Sequence, residues 1–123
     1  MKISTPATPG IKDDDGNVIH IKTVDLPGWD LTADYTTSVN VSGITAANIV
    51  SITGHVVKDD GSVFVSVPGP SNNINPAEVR FEVAYVPGTP MTVYVTISDL
   101  VTVLDWDSTA NPRGKLFISY IPT

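Results

Sequence analysis

Cysteine is absent from this 123-residue chain. Structural disulfides, cysteine–zinc sites and thiol nucleophiles are therefore excluded. Charge is sparse as well: 16% of residues are Asp, Glu, Lys or Arg, against a norm of about 25%. The basic residues number seven, with no two adjacent. Nucleic acids and anionic membranes are gripped by clustered Lys and Arg, so neither is an expected partner. Glu occurs twice and Leu five times, too few strong helix formers for long helices. No apolar run approaches the roughly 18 residues of a membrane span. Residues 1–6 lack the apolar stretch of a secretory signal, so synthesis in the cytoplasm is expected.

What is abundant is β-branched: 42 residues are Val, Ile or Thr. Such side chains are stiff at χ1 and pack well on pleated surfaces. Ten Pro and nine Gly punctuate many short strands. Val79, Phe81, Val83 and Tyr85 alternate with Arg80, Glu82 and Ala84, the pattern of a half-buried strand. Val93, Val95 and Ile97 repeat it. Residues 49–57 read as a long strand, turned by Asp60-Gly61, a strong hairpin dipeptide. Residues 62–67 return with Val63, Val65 and Val67 on one face and Phe64 on the other. Further strands are expected at 11–12 and 18–22 around a turn at 13–17, then at 37–41, 100–104 and 115–121. Residues 68–76 and 105–114 read as polar loops, and residues 43–48 as a loop, or one helical turn at 45–47. The expected fold is all-β: a single antiparallel sandwich, jelly-roll or immunoglobulin-like, of about eight to nine strands over residues 11–123. Residues 1–10, with Pro6 and Pro9 fixing φ, read as an extended N-terminal arm.

The chemistry-bearing residues are few. Asp13, Asp15 and Asn17 have the spacing that opens a calcium loop. Val18 and Val24 stand where that loop needs Gly and a bidentate acid, so the segment is expected to be an acidic turn. No metal and no cofactor is expected. Glu78 and Glu82 on a strand lie about 13 Å apart, wider than the roughly 5–9.5 Å of glycosidase carboxylates. His20 and His55 each stand alone. No nucleophile elbow, phosphate loop or dinucleotide fingerprint occurs, so a non-enzymatic protein is expected. Asp105 and Asp107 flank Trp106. On a strand they would share a face and could converge on sugar hydroxyls while Trp106 stacks on the ring. The competing reading has Trp106 plugging the end of the sandwich and both carboxylates facing water.

Several stretches carry a resemblance. Trp29-Asp30-Leu31 precedes Thr37-Ser38-Val39-Asn40-Val41; Ile49-Val50-Ser51-Ile52 runs on to Asp59-Asp60. Asn111-Pro112-Arg113-Gly114 leads into Phe117-Ile118-Ser119-Tyr120. This resembles a family of small β-sandwich proteins and domains of tailed bacteriophages and prophages, found among fibre-type and other particle-surface proteins. Leu31 stands where that pattern has Met, Pro112 separates Asn111 from Arg113, and Lys115 replaces an aromatic. The resemblance implies a virion structural protein, capsid-decorating or fibre-associated, located in the virion. Its implied partners are other virion proteins and copies of itself, a trimer before a dimer. A carbohydrate-binding module, recognising a cell-surface glycan, is the alternative. Ile3, Pro6 and Pro9 of the arm and Arg113 are the expected assembly contacts, with Arg113 expected to pair a nearby Asp at the surface.

Overall fold

A computed structural model describes residues 12, 14–71, 79–109 and 111–122 of the chain. It is all-β, with two four-stranded sheets. The first sheet orders its strands β1 (His20–Leu26), β8 (Gly114–Tyr120), β3 (Ile49–Val57), β4 (Phe64–Val67). The second orders β2 (Thr36–Val41), β7 (Met91–Ile97), β6 (Val79–Val86), β5 (Gly69–Ser71). Every pairing between these strands is antiparallel. Eight strands in two sheets agree with the expected sandwich. The earliest strands pair with the latest, β1 beside β8 and β2 beside β7.

Alternation decides which side chains enter the core. Leu116 and Ile118 of β8, Val56 of β3, and Val65 and Val67 of β4 point inward from the first sheet. Phe81 of β6 and Met91, Val93, Val95 and Ile97 of β7 meet them from the second. Phe81 is 1% exposed; burying such a ring is worth about 1.5–3 kcal/mol. The β3–β4 hairpin turns at Asp60-Gly61. Gly61 takes φ +75°, a region costly to residues bearing a Cβ. The Asp60 carboxylate accepts the Ser62 amide at 2.9 Å.

Some elements differ from expectation. The strand expected at 18–22 begins at His20 and runs to Leu26, because its alternation continues through Val24 and pairs along the whole of β8. Ahead of it lies a single antiparallel bridge, Lys12 to Val18. Residues 100–104 are not a strand. Val101 is buried, its amide bonded to the Leu31 carbonyl at 2.9 Å, and Leu104–Trp106 forms a 3-10 turn. Within the expected loop at 68–76 lies β5, at a sheet edge where Pro70 needs no ladder donor. The helical turn is Ala46–Asn48. The arm at 1–10, with Ile3, Pro6 and Pro9, and the pair member Glu78 lie outside the described residues.

Strand direction gives the sandwich two distinct ends. Leu26, Val57, Ile97 and Gly114 end or begin their strands at one. His20, Val41, Ile49, Met91 and Tyr120 do so at the other.

Candidate functional site

The sequence candidates gather at the first end, but not as a surface. Arg113 is 3% exposed. Its Nε donates to the Trp29 carbonyl at 2.8 Å. Nη1 donates to the Val57 carbonyl and to Asp59 Oδ1, both at 2.9 Å. Nη2 donates to the carbonyls of Trp106, at 3.2 Å, and Ser108. A guanidinium carries five N–H groups, and all five are used. Three chain segments, around Trp29, at 57–59 and at 106–108, are thereby tied to one side chain. The expectation of a surface ion-pair anchor and assembly contact is corrected: the pair with Asp59 exists, but it is buried within the domain. The long sequence separations of these partners, up to 84 residues, hid that role.

Trp106 is 2% exposed, with the Arg113 guanidinium 5.7 Å from its ring centre. It cannot stack on a sugar, so the plug reading is the observed one. Asp105 lies in the 3-10 turn, not on a strand, and its carboxylate pairs with Lys58 at 3.1 Å. That hydrogen bond and charge raise the Lys58 ammonium above its ordinary value. Asp105 and Asp107 face solvent around a buried ring. Trp29 is buried as well, its Nε1 donating to the Asp34 carbonyl at 2.8 Å and its ring set edge-to-face on Phe81. Backbone packing here is close: a Cβ on Gly28 would run into the Thr109 carbonyl oxygen. We call this the capped end.

The other end is open. Residues 41–47, leaving β2, and residues 85 and 87–91, around the β6–β7 turn, enclose a groove of about 920 Å³. Pockets that take small ligands run to about 300–1,000 Å³. Its walls are Val41, Ile44, Ala46, Met91 and Tyr85, and the two prolines of the turn. Among the described residues none that is charged lines it; Ser42, Thr45, Thr89 and Tyr85 supply hydroxyls. Tyr85 is 40% exposed. Alternation placed it on the core face, and it does share the register of Phe81 and Val83. The second sheet outlasts its cover here, so the ring becomes a groove wall. Lys22 borders this end, donating to the Ser42 carbonyl at 2.7 Å. It shares the inward face of β1 with Val24 and Leu26, and such an inward charge discourages edge-to-edge pairing.

The outer faces of the two sheets also differ. Across the first runs a diagonal of Phe64, His55, Phe117 and Ile21, each offset by two residues on the next strand. His55 meets Phe64 edge-on at 5.1 Å and Phe117 at 5.9 Å. Phe64 and Ile21, at its two ends, are 65% and 63% exposed. Diagonal neighbours on a sheet come within reach of aromatic side chains. The outward position of Phe64 was legible from alternation; its alignment with His55 needed the register. Across β2 and β7 the second sheet shows hydroxyls and amides instead, Thr36 bonding Thr96 and Thr92 bonding Asn40 around Tyr94, while Arg80, Glu82 and Val86 face outward from β6.

Among the described residues, no three His, Cys, Asp or Glu converge as a metal site, and no helix is long and apolar enough to cross a membrane. Comparison with protein-family models, curated proteins and solved structures finds no match to this chain.

Proposed function

We propose that this protein is a non-enzymatic structural component of a bacteriophage particle, capsid-decorating or fibre-associated, that works by associating with copies of itself and with other virion proteins. The observation that carries the associative part is the apolar diagonal on the first sheet. Phe64 and Ile21 are large, apolar and mostly exposed, and contiguous exposed apolar surface marks association sites. Strand β2, at the edge of the second sheet, offers a further contact. The particle itself enters through the sequence resemblance around Trp29-Asp30-Leu31 and the closing strand. Gold-labelled antibody against the protein tests this on purified particles: labelling of capsid or tail supports it, and unlabelled particles, intact and disrupted, overturn it. Phe64→Ser should weaken self-association in sedimentation while leaving the fold intact.

A glycan-binding role is the second reading, moved from Trp106 to Tyr94. That ring is 36% exposed on a flat face of Thr, Ser and Asn, where a sugar ring could stack and hydrogen-bond. Binding on a glycan array that Tyr94→Ala abolishes would favour it.

A further inference from the structure

We propose that the groove at the open end takes the Pro6-Ala7-Thr8-Pro9 segment of a second copy of this chain. The inference rests on the associative reading above and adds which segment seats where. Three observations carry it.

The first is the groove's chemistry. One aromatic wall, Tyr85, stands against Ile44, Met91 and the prolines of the β6–β7 turn, with hydroxyls but no charge. Aromatic-walled apolar grooves are the surfaces on which polyproline II segments dock.

The second is the segment's chemistry. Pro6-Ala7-Thr8-Pro9 is a P-x-x-P run without charge. Its prolines fix φ and bias the residues before them toward polyproline II. That helix has three residues per turn, so both rings project to one side about 9 Å apart. It makes no internal hydrogen bonds, which leaves its carbonyls free for the hydroxyls of Ser42, Thr45, Thr89 and Tyr85. Less conformational freedom is lost on docking than for an ordinary segment.

The third is direction. Eleven residues precede Lys12, enough to reach at most about 36–40 Å. At Lys12 the antiparallel bridge to Val18 runs the backbone opposite to β1, so the N-terminal side of Lys12 faces the capped end. Its own groove lies behind it, so the occupant comes from a neighbour.

The chain has no cysteine, so Lys2→Cys offers a unique attachment site for a nitroxide. The spin-labelled full-length protein, without isotope, is mixed with isotope-labelled, unmodified full-length protein. The expected result is paramagnetic broadening of the amide signals of Ile44, Ala46 and Thr89 in the isotope-labelled copy. Pro6→Ala with Pro9→Ala on the spin-labelled copy, or Tyr85→Ala on the other, should each weaken the contact about tenfold, the loss of one anchor at an interface. Tyr85 lies outside the buried core, and the spread of the remaining signals reports that the fold is kept in each variant. Broadening seen only when nitroxide and isotope share one chain overturns the second copy as occupant. An absence of broadening at the groove overturns the site. If sedimentation still shows association in that case, the seat of the arm is wrong and the associative reading stands; a monomer throughout overturns both.

Discussion

The two ends of this sandwich differ in the loops that form them: those at the capped end carry seven Asp and both tryptophans, whereas those around the groove are Gly, Pro, Ser, Thr, Ala and Ile alone. At the capped end a single guanidinium gathers four backbone carbonyls and one carboxylate, and two tryptophans fill the space around it. At the open end Lys22 reaches the rim alone, on the Ser42 carbonyl; among the described residues no charged side chain lines the groove that remains. Apolar residues are present at both. What separates them is a donor-rich group able to satisfy converging backbone carbonyls, which cannot be buried unpaired.

That contrast is broken most severely at Arg113. Arg113→Ala removes five hydrogen bonds, the charged one to Asp59 among them, and should cost about 3–5 kcal/mol in urea unfolding. Arg113→Lys should recover little, since an ammonium cannot present a five-donor fork. Gly28→Ala comes next: the added methyl meets the Thr109 backbone, and overpacking of this kind costs about 1–3 kcal/mol. Tyr85→Ala, at the open end, should stay within about 0.5 kcal/mol of the parent. It should also leave unchanged the blue-shifted, quencher-protected emission of Trp29 and Trp106, whereas Arg113→Ala should red-shift it. The smallest effect concerns acid. The hydroxyl and amide of Ser62 hold the Asp60 carboxyl below its ordinary value. A lowered folded-state value contributes stability that is present above the unfolded value, about pH 4, and lost as pH falls through the folded one. The urea midpoints of the parent and Asp60→Asn should therefore draw together in that acid window.

The same contrast marks what the amino-acid order made legible. Strands with clean alternation, such as β6 and β7, were placed by it, and β3 was placed to the residue at Ile49–Val57. The short apolar run at 100–104 misled, because it has no period to separate a strand from a buried bend; its backbone bonds go to Leu31 instead. Strand β5 was missed because Gly69 and Pro70 read as loop, and only its place at the sheet edge makes them tolerable. Trp106 was legible as either a plug or a platform. The decision between them lay with Arg113, whose acceptors are mostly carbonyls of distant residues and carry no side-chain signature. The groove had none either: it exists because the loops at 42–47 and 87–90 end on the same side.

The pairing of the first strand with the last has a mechanical consequence. His20, opening β1, lies directly across from Tyr120, closing β8. Tension applied through these two positions would pull the strands apart like a zipper, loading one rung of the ladder at a time. It would not shear all seven rungs together. A single-molecule pulling experiment with handles at 20 and 120 should therefore record low rupture forces, and handles at 20 and 114, opposite ends of the two paired strands, higher ones. Under sustained load such a domain would endure by letting stress pass across its faces, not along its chain.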